Sequence, residues 1–200
     1  MFSMGGVRME ARIVAVAEKE IRSKGLKFTM SDLAKAAGIS TKTLYSFFVS
    51  KEALIEHIIR AVMNQIMEKH AQIAARNDLD PVEKLSMLLA NMPASYGLTN
   101  LRVWSELKRY YPGQWALVEQ CMQFGWDEVQ ELMEAGMAQG YFRRVHIPMF
   151  IHMYIGAFEQ IVNNQTAVTS KMTVTQALDA IIDILLSGVL ESEHKEEGQK

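Results

Sequence analysis

Two hundred residues, 49% of them hydrophobic and 22% charged, can bury a substantial core and exclude a disordered, collagen-like or low-complexity chain. The lone cysteine, Cys121, excludes an intrachain disulfide and predicts a reducing, cytoplasmic setting. The net charge of −2 hides an asymmetry, because residues 1–60 carry ten Lys/Arg against six Asp/Glu and the remaining 140 carry eleven against seventeen. A basic N-terminal segment on an acidic remainder suits a head that faces nucleic acid on a body that phosphate repels. The apolar runs near 147–158 and 180–190 are too short and interrupted to span a bilayer. IVAVA at 13–17 is likewise too short for a signal peptide, and charge follows it at once.

In chain order, 1–7 reads as a frayed arm. A helix from Arg8 or Met9 to Ser23 follows, with Ile13, Val14, Ala17 and Ile21 inward. Thr29 caps the next helix with Asp32 three residues on to reach back, and Leu33, Ala34 and Ala37 make its apolar face. Gly38 supplies a left-handed stop, Ile39 a buried spacer, and Ser40 caps a short helix from Thr41 to about Phe48. Leu44 and Phe48 face the core. Thr41, Lys42, Tyr45 and Ser46 form the opposite face, which suits the major groove because hydroxyls, an ammonium and a phenol can reach phosphates and base edges.

Ser50 caps a helix to about Arg76, striped by Leu54, Ile58 or Ile59, Val62, Ile66 and Ile73. After a loop at 77–80, Asp80-Pro81-Val82-Glu83 starts a helix to about Tyr96, kinked at Pro93. Thr99 caps one to Tyr110, and Tyr111-Pro112-Gly113 breaks the pattern. A long helix is predicted from Gln114 to Gln139, with Val118, Met122, Gly125, Val129, Leu132 and Gly136 as a packing seam. Pro148 opens a helix to Asn164 that is apolar nearly all round. Thr173-Val-Thr-Gln176 boxes the start of the last helix, to about Leu190, and 191–200 reads as a disordered tail. The expected fold is therefore all-α, with about nine helices.

The arrangement Thr29…Leu33-Ala34-x-x-Ala37-Gly38-Ile39-Ser40-x-x-x-Leu44-Tyr45-x-x-Phe48-x-Ser50-Lys51-Glu52-x-Leu54 resembles the DNA-binding domain of the tetracycline-repressor (TetR) family. The resemblance implies a helix-turn-helix head at 8–53 and a ligand-binding and dimerisation domain at 54–190. It implies that Thr29 and Tyr45 meet phosphate, that Lys42 reaches bases or phosphate, and that Ser40, Thr41 and Thr43 lie at nearby edges or phosphates. Lys51 would bind phosphate at the start of its helix. Phe47 departs from the family's His or Tyr, so either that contact is missing or the ring packs on sugar or a thymine methyl. Glu20 and Ile21 stand where the family has two apolar residues on the first helix. The family also implies a homodimer through the helices near 148–164 and 173–190, binding a palindromic operator and released by a small-molecule effector.

Residues of the body with bulk or a polar handle are Met92, Tyr96, Trp104, Met122, Trp126, Met133, Met153 and Phe158; as a set they predict an apolar or aromatic effector. No catalytic, cofactor or metal constellation emerges: Cys121 reads as a buried thiol, His152 and Glu159 as structural, and Asp179 and Asp183 as a solvated stripe. A DNA-binding regulator is thus expected rather than an enzyme, and a body that binds a protein partner is the alternative to one that binds a small molecule.

Overall fold

The computed structural model describes residues 4–91, 100–163 and 172–190, and these form an all-α fold. Its helices are α1 (Met4–Lys24), α2 (Met30–Ala37), α3 (Thr41–Phe47), α4 (Lys51–Ala74) and α5 (Pro81–Leu89). They continue as α6 (Leu101–Tyr110), α7 (Pro112–Met122), α8 (Trp126–Ala138), α9 (Ile147–Asn163) and α10 (Val174–Val189), with a 3-10 turn at Gly25–Lys27. Helix starts follow local chemistry. Reciprocal boxes form at Thr29–Asp32, Asp80–Glu83 and Thr173–Gln176, each satisfying amide groups that a first helical turn leaves without partners. Ser50 Oγ accepts the Ala53 N–H at 3.1 Å at the start of α4.

Four boundaries differ from expectation. The long helix predicted over 114–139 is two, because Gly125 takes a left-handed φ of 82° and ends the run between α7 and α8. Asn100, whose side chain accepts the Arg102 N–H at 2.8 Å, caps α6 in place of Thr99, which lies outside the described residues. Helix α5 stops at Leu89, with Ala90 as its cap, so it does not run on to Tyr96; a kink at Pro93 lies outside the described residues, as does the 191–200 tail. Helix α1 begins at Met4, so part of the expected arm is helical.

Compactness divides the chain discontinuously. One unit comprises Met1–Asn64 and Pro93–Glu119, and the other Gln65–Met92 and Gln120–Lys200. In the first, α1 packs on α2, α2 on α3, and α6 on the 3-10 turn. Ile13, Ala17, Ile21, Leu33, Leu44 and Leu54 are almost fully buried there. Ile21 thus fills the seam on α1, while Glu20 turns to Lys24 at 2.6 Å. From α6, Trp104 packs edge-on to Trp115 at 6.4 Å between ring centroids.

In the second unit α10 packs on α9 and α5, and α8 on α5 and α9. Leu85, Met133, Phe142, Phe158, Val162 and Leu178 are buried within it. Gly136 admits the Phe142 ring so closely that a Cβ there would lie 2.4 Å from two ring carbons. Arg143 closes the end of α10, its amide donating to Val189 and its Nε to Gly188 O at 2.6 Å. Among the described residues no helix is long and apolar enough to cross a membrane.

Candidate nucleic-acid interface

The helix-turn-helix is built from caps outward. Asp32 N–H donates to Thr29 Oγ1 at 3.1 Å, while the Thr29 hydroxyl and amide both donate to Asp32 Oδ2, at 2.8 and 3.1 Å. Those bonds, the hydroxyl's first, hold the Asp32 carboxyl below the ordinary aspartate range. Both donors of Thr29 are thereby committed within the protein, and a phosphate could take one only by displacing Asp32. The turn itself is set by Gly38 at φ 63°, whose left-handed backbone lets Ile39 N–H return to Ala34 O at 3.0 Å. Arg12 of α1 donates from Nη2 to Ala37 O at 2.6 Å, placing a cation at the carbonyl end of α2.

On α3, Ser40 Oγ accepts Thr43 N–H at 3.0 Å and shares a hydrogen bond with Thr43 Oγ1 at 2.8 Å. Leu44 and Phe48 are buried, which presses the opposite face outward. Ser40, Thr41 and Lys42 are exposed, Tyr45 is 47% exposed, and Thr43 and Phe47 are half-buried. Six of the eight residues expected at DNA therefore lie together on α3 and its cap. Val49, 80% exposed beside them, had no signal in the sequence, since an apolar residue in a turn has no period to mark it.

Lys51 is placed differently. Its ammonium donates to Leu26 O at 2.6 Å and to Phe28 O, and lies 4.3 Å from the centroid of the Phe28 ring. Burial pushes its pKa down, partly offset by Glu52 and Glu106. Glu106, buried on α6, accepts Leu26 N–H at 2.7 Å and Arg102 Nε at 2.9 Å. Arg12 and Glu106 were not singled out from the sequence; their partners are 25 and 80 residues away, and no local spacing reveals such pairs.

A family model described as bacterial regulatory proteins, tetR family, matches residues 13–58. The uncharacterized HTH-type transcriptional regulator YvaF of Bacillus subtilis is 30% identical over 185 residues, 92% of this chain and 97% of that protein. The chain belongs to the tetR family of bacterial regulatory proteins. Among solved structures similar to this tetR-family chain is the fatty acid degradation regulator FadR of Bacillus halodurans, with a TM-score of 0.66 at 22% identity over 90% of this chain and 95% of that one. FadR of Bacillus subtilis, in complex with stearoyl-CoA, gives 0.64 at 18% identity over 89% and 98%. At these identities the two structures speak for the tetR-family fold alone.

The residues expected at a ligand divide between the two units. Met92 and Tyr96 lie outside the described residues, and Trp104 belongs to the first unit. In the second, Trp126 meets Tyr154 edge-on at 5.6 Å and donates from Nε1 to Met122 O at 2.6 Å. The Tyr154 hydroxyl donates to Leu89 O at 2.7 Å, and burial pushes its pKa up. Met133 and Phe158 are buried, whereas Met153 is more than half exposed on α9. Asn91 donates to Ile66 O at 2.8 Å and keeps its buried Oδ1 without a partner among the described residues. Tyr154 and Asn91 were not among the expected ligand residues. Cys121 is half-buried with its thiol pKa raised by burial, which favours the unreactive thiol form.

Proposed function

We propose that this tetR-family regulator is a homodimeric repressor that reads a palindromic operator and releases it on binding an apolar effector. The carrying observation is the outward face of α3. Lys42, Thr41 and Tyr45 stand exposed on a helix whose other face is locked by Leu44 and Phe48. Lys42 supplies the charge that phosphate or a guanine edge attracts, Thr41 and Ser40 supply hydroxyls, and the Tyr45 hydroxyl reaches phosphate. Thr43 is partly engaged by Ser40 and supports the cap. Phe47 and Val49 offer apolar contact to sugar or a thymine methyl. Thr29 and Lys51 serve as positioning residues, because their donors are already bonded inside the protein.

Dimerisation is assigned to α9 and α10. Met149, Met153 and Ile184 are more than half exposed, and a Cβ at Gly156 or Gly188 would meet nothing within 4 Å. Such an apolar face with small gaps fits a second copy of itself. An apolar effector is supported by Trp126, Met133, Tyr154 and Phe158 in the second unit, and Asn91 Oδ1 offers one acceptor to a donor group on it. An acyl chain of the kind in the stearoyl-CoA complex of FadR is one such ligand. Whatever the effector, it releases DNA only by binding the DNA-incompetent state more tightly.

Selection of bound duplexes from a random pool tests the reading. It is expected to return a palindrome with half-sites about one helical turn, 34–36 Å, apart or a multiple of that. Selected DNA without two-fold symmetry would refute it. Acyl-CoAs of graded chain length, titrated against the recovered operator, then test the effector class.

A further inference from the structure

Both polar groups of the Leu26 peptide are gripped by charged side chains from other helices. Its N–H donates to Glu106 Oε2 of α6, and its carbonyl accepts from Lys51 Nζ of α4. The turn holding Leu26 joins α1 to α2, so its geometry sets the angle at which the helix-turn-helix leaves α1. Glu106 is 8% exposed, and Arg102 Nε bonds its other oxygen. A carboxylate at so dry a position is costly unless its oxygens are satisfied, and α6 already fills its inner face with Leu101, Val103, Trp104 and Leu107. What a carboxylate adds over another leucine is a directional, charge-assisted bond to one amide.

The backbone is shaped to receive it. Gly25 takes φ +66°, and a Cβ there would lie 2.4 Å from Glu106 Oε2. Helix α6 also has a distinctive place in the chain. It lies within Pro93–Glu119 of the first unit, a stretch that Gln65–Met92 and Gln120–Lys200 of the second unit precede and follow in the chain.

We propose that Glu106 is the positioning residue through which α6 sets the angle of the DNA-reading helices, by holding the Leu26 amide. This rests on the paired-head reading above. Heads held at a fixed angle discriminate half-site spacing; heads released from Glu106 do not.

The experiment measures the affinity of full-length dimers for the selected palindrome and for versions with its spacer changed by one base pair, which rotates one half-site by about 35°. Active fractions are fixed by stoichiometric titration with DNA, so partial unfolding alone cannot alter the profile. Wild type is expected to lose at least about tenfold per base pair, and Glu106→Ala less than about threefold. Glu106→Gln, which keeps an acceptor for Leu26, is expected to restore discrimination. Lys42→Ala is expected to lower affinity at every spacing with the wild-type profile.

An unchanged profile in Glu106→Ala, or one as broad in Glu106→Gln as in Glu106→Ala, would overturn the proposal. Should Glu106→Ala not fold, amide exchange in the wild type decides. Operator DNA is expected to slow exchange at Leu26 more than at Leu33, and equal slowing overturns the role. A wild type that binds no palindrome at all would overturn the paired-head reading and this proposal together.

Discussion

Replacing Lys51 by methionine separates two roles that one lysine near DNA could have. Methionine keeps most of the apolar stem over Phe28 and removes only the ammonium. Two backbone carbonyls, Leu26 O and Phe28 O, then lose their donor, and the ring loses its cation. An orphaned buried acceptor costs about 1–3 kcal/mol and a cation–π contact about 0.5–1 kcal/mol. Because Lys51 is only half-buried, water replaces part of the loss, and about 2–4 kcal/mol is expected in total. At this chain length that lowers Tm by about 4–16 °C. The second measurement is the salt dependence of operator affinity. Removing a cation that neutralises one phosphate reduces the slope of log K against log[salt] by about 0.9. Lys51→Met should leave the slope at its wild-type value, while Lys42→Met reduces it by about 1.8 in a dimer whose two heads each place Lys42 on one phosphate. A Lys51→Met protein with unchanged Tm and a slope reduced like that of Lys42→Met would refute the internal role and restore Lys51 to the phosphate.

Three further expectations are independent of that one. Gly136→Ala would drive a methyl into the Phe142 ring, costing about 1–3 kcal/mol by urea denaturation, and Phe142→Leu in the same chain should recover part of it. Met153→Glu with Ile184→Glu should yield monomers in sedimentation with helical content intact, since both side chains are exposed on α9 and α10; a dimer that survives would place the interface elsewhere. Asp32 ionises more readily in the folded chain than in the unfolded one, so its contribution is complete above the ordinary aspartate range and fades as pH falls through the lower folded value. Asp32→Asn should therefore be less stable than wild type at neutral pH, with the gap closing in acid; a gap independent of pH would refute the assignment.

What the sequence made legible was local. Thr29–Asp32, Ser40–Thr43, Asp80–Glu83 and Thr173–Gln176 each lie within one turn, so residue type and a spacing of three suffice to place a helix start. The outer face of α3 could be read for the same reason: once Leu44 and Phe48 are inward, Thr41, Lys42 and Tyr45 have nowhere else to point. Gly125 misled because a small residue in a helix seam and a left-handed stop look alike until φ is known. The contacts of Lys51 with the carbonyls of Leu26 and Phe28 were not legible, because its partners are backbone groups that every residue carries and no pattern marks. The Glu106–Leu26 bond depends on how distant helices meet, which hydrophobic period does not encode.

The discontinuous first unit has a consequence for the order of synthesis. Residues 1–64 contain both helices of the DNA-reading motif, yet the unit is completed only by 93–119. At about 5–20 residues per second, the 55 residues between positions 64 and 119 keep the nascent head waiting for about 3–11 s after its first segment is made. For about the first 2–8 s of that interval, until Glu106 is added 42 residues beyond position 64, the Leu26 amide has no carboxylate to meet. The chain thus completes its first unit only after residues 65–92, the first segment of its second unit, have already been built.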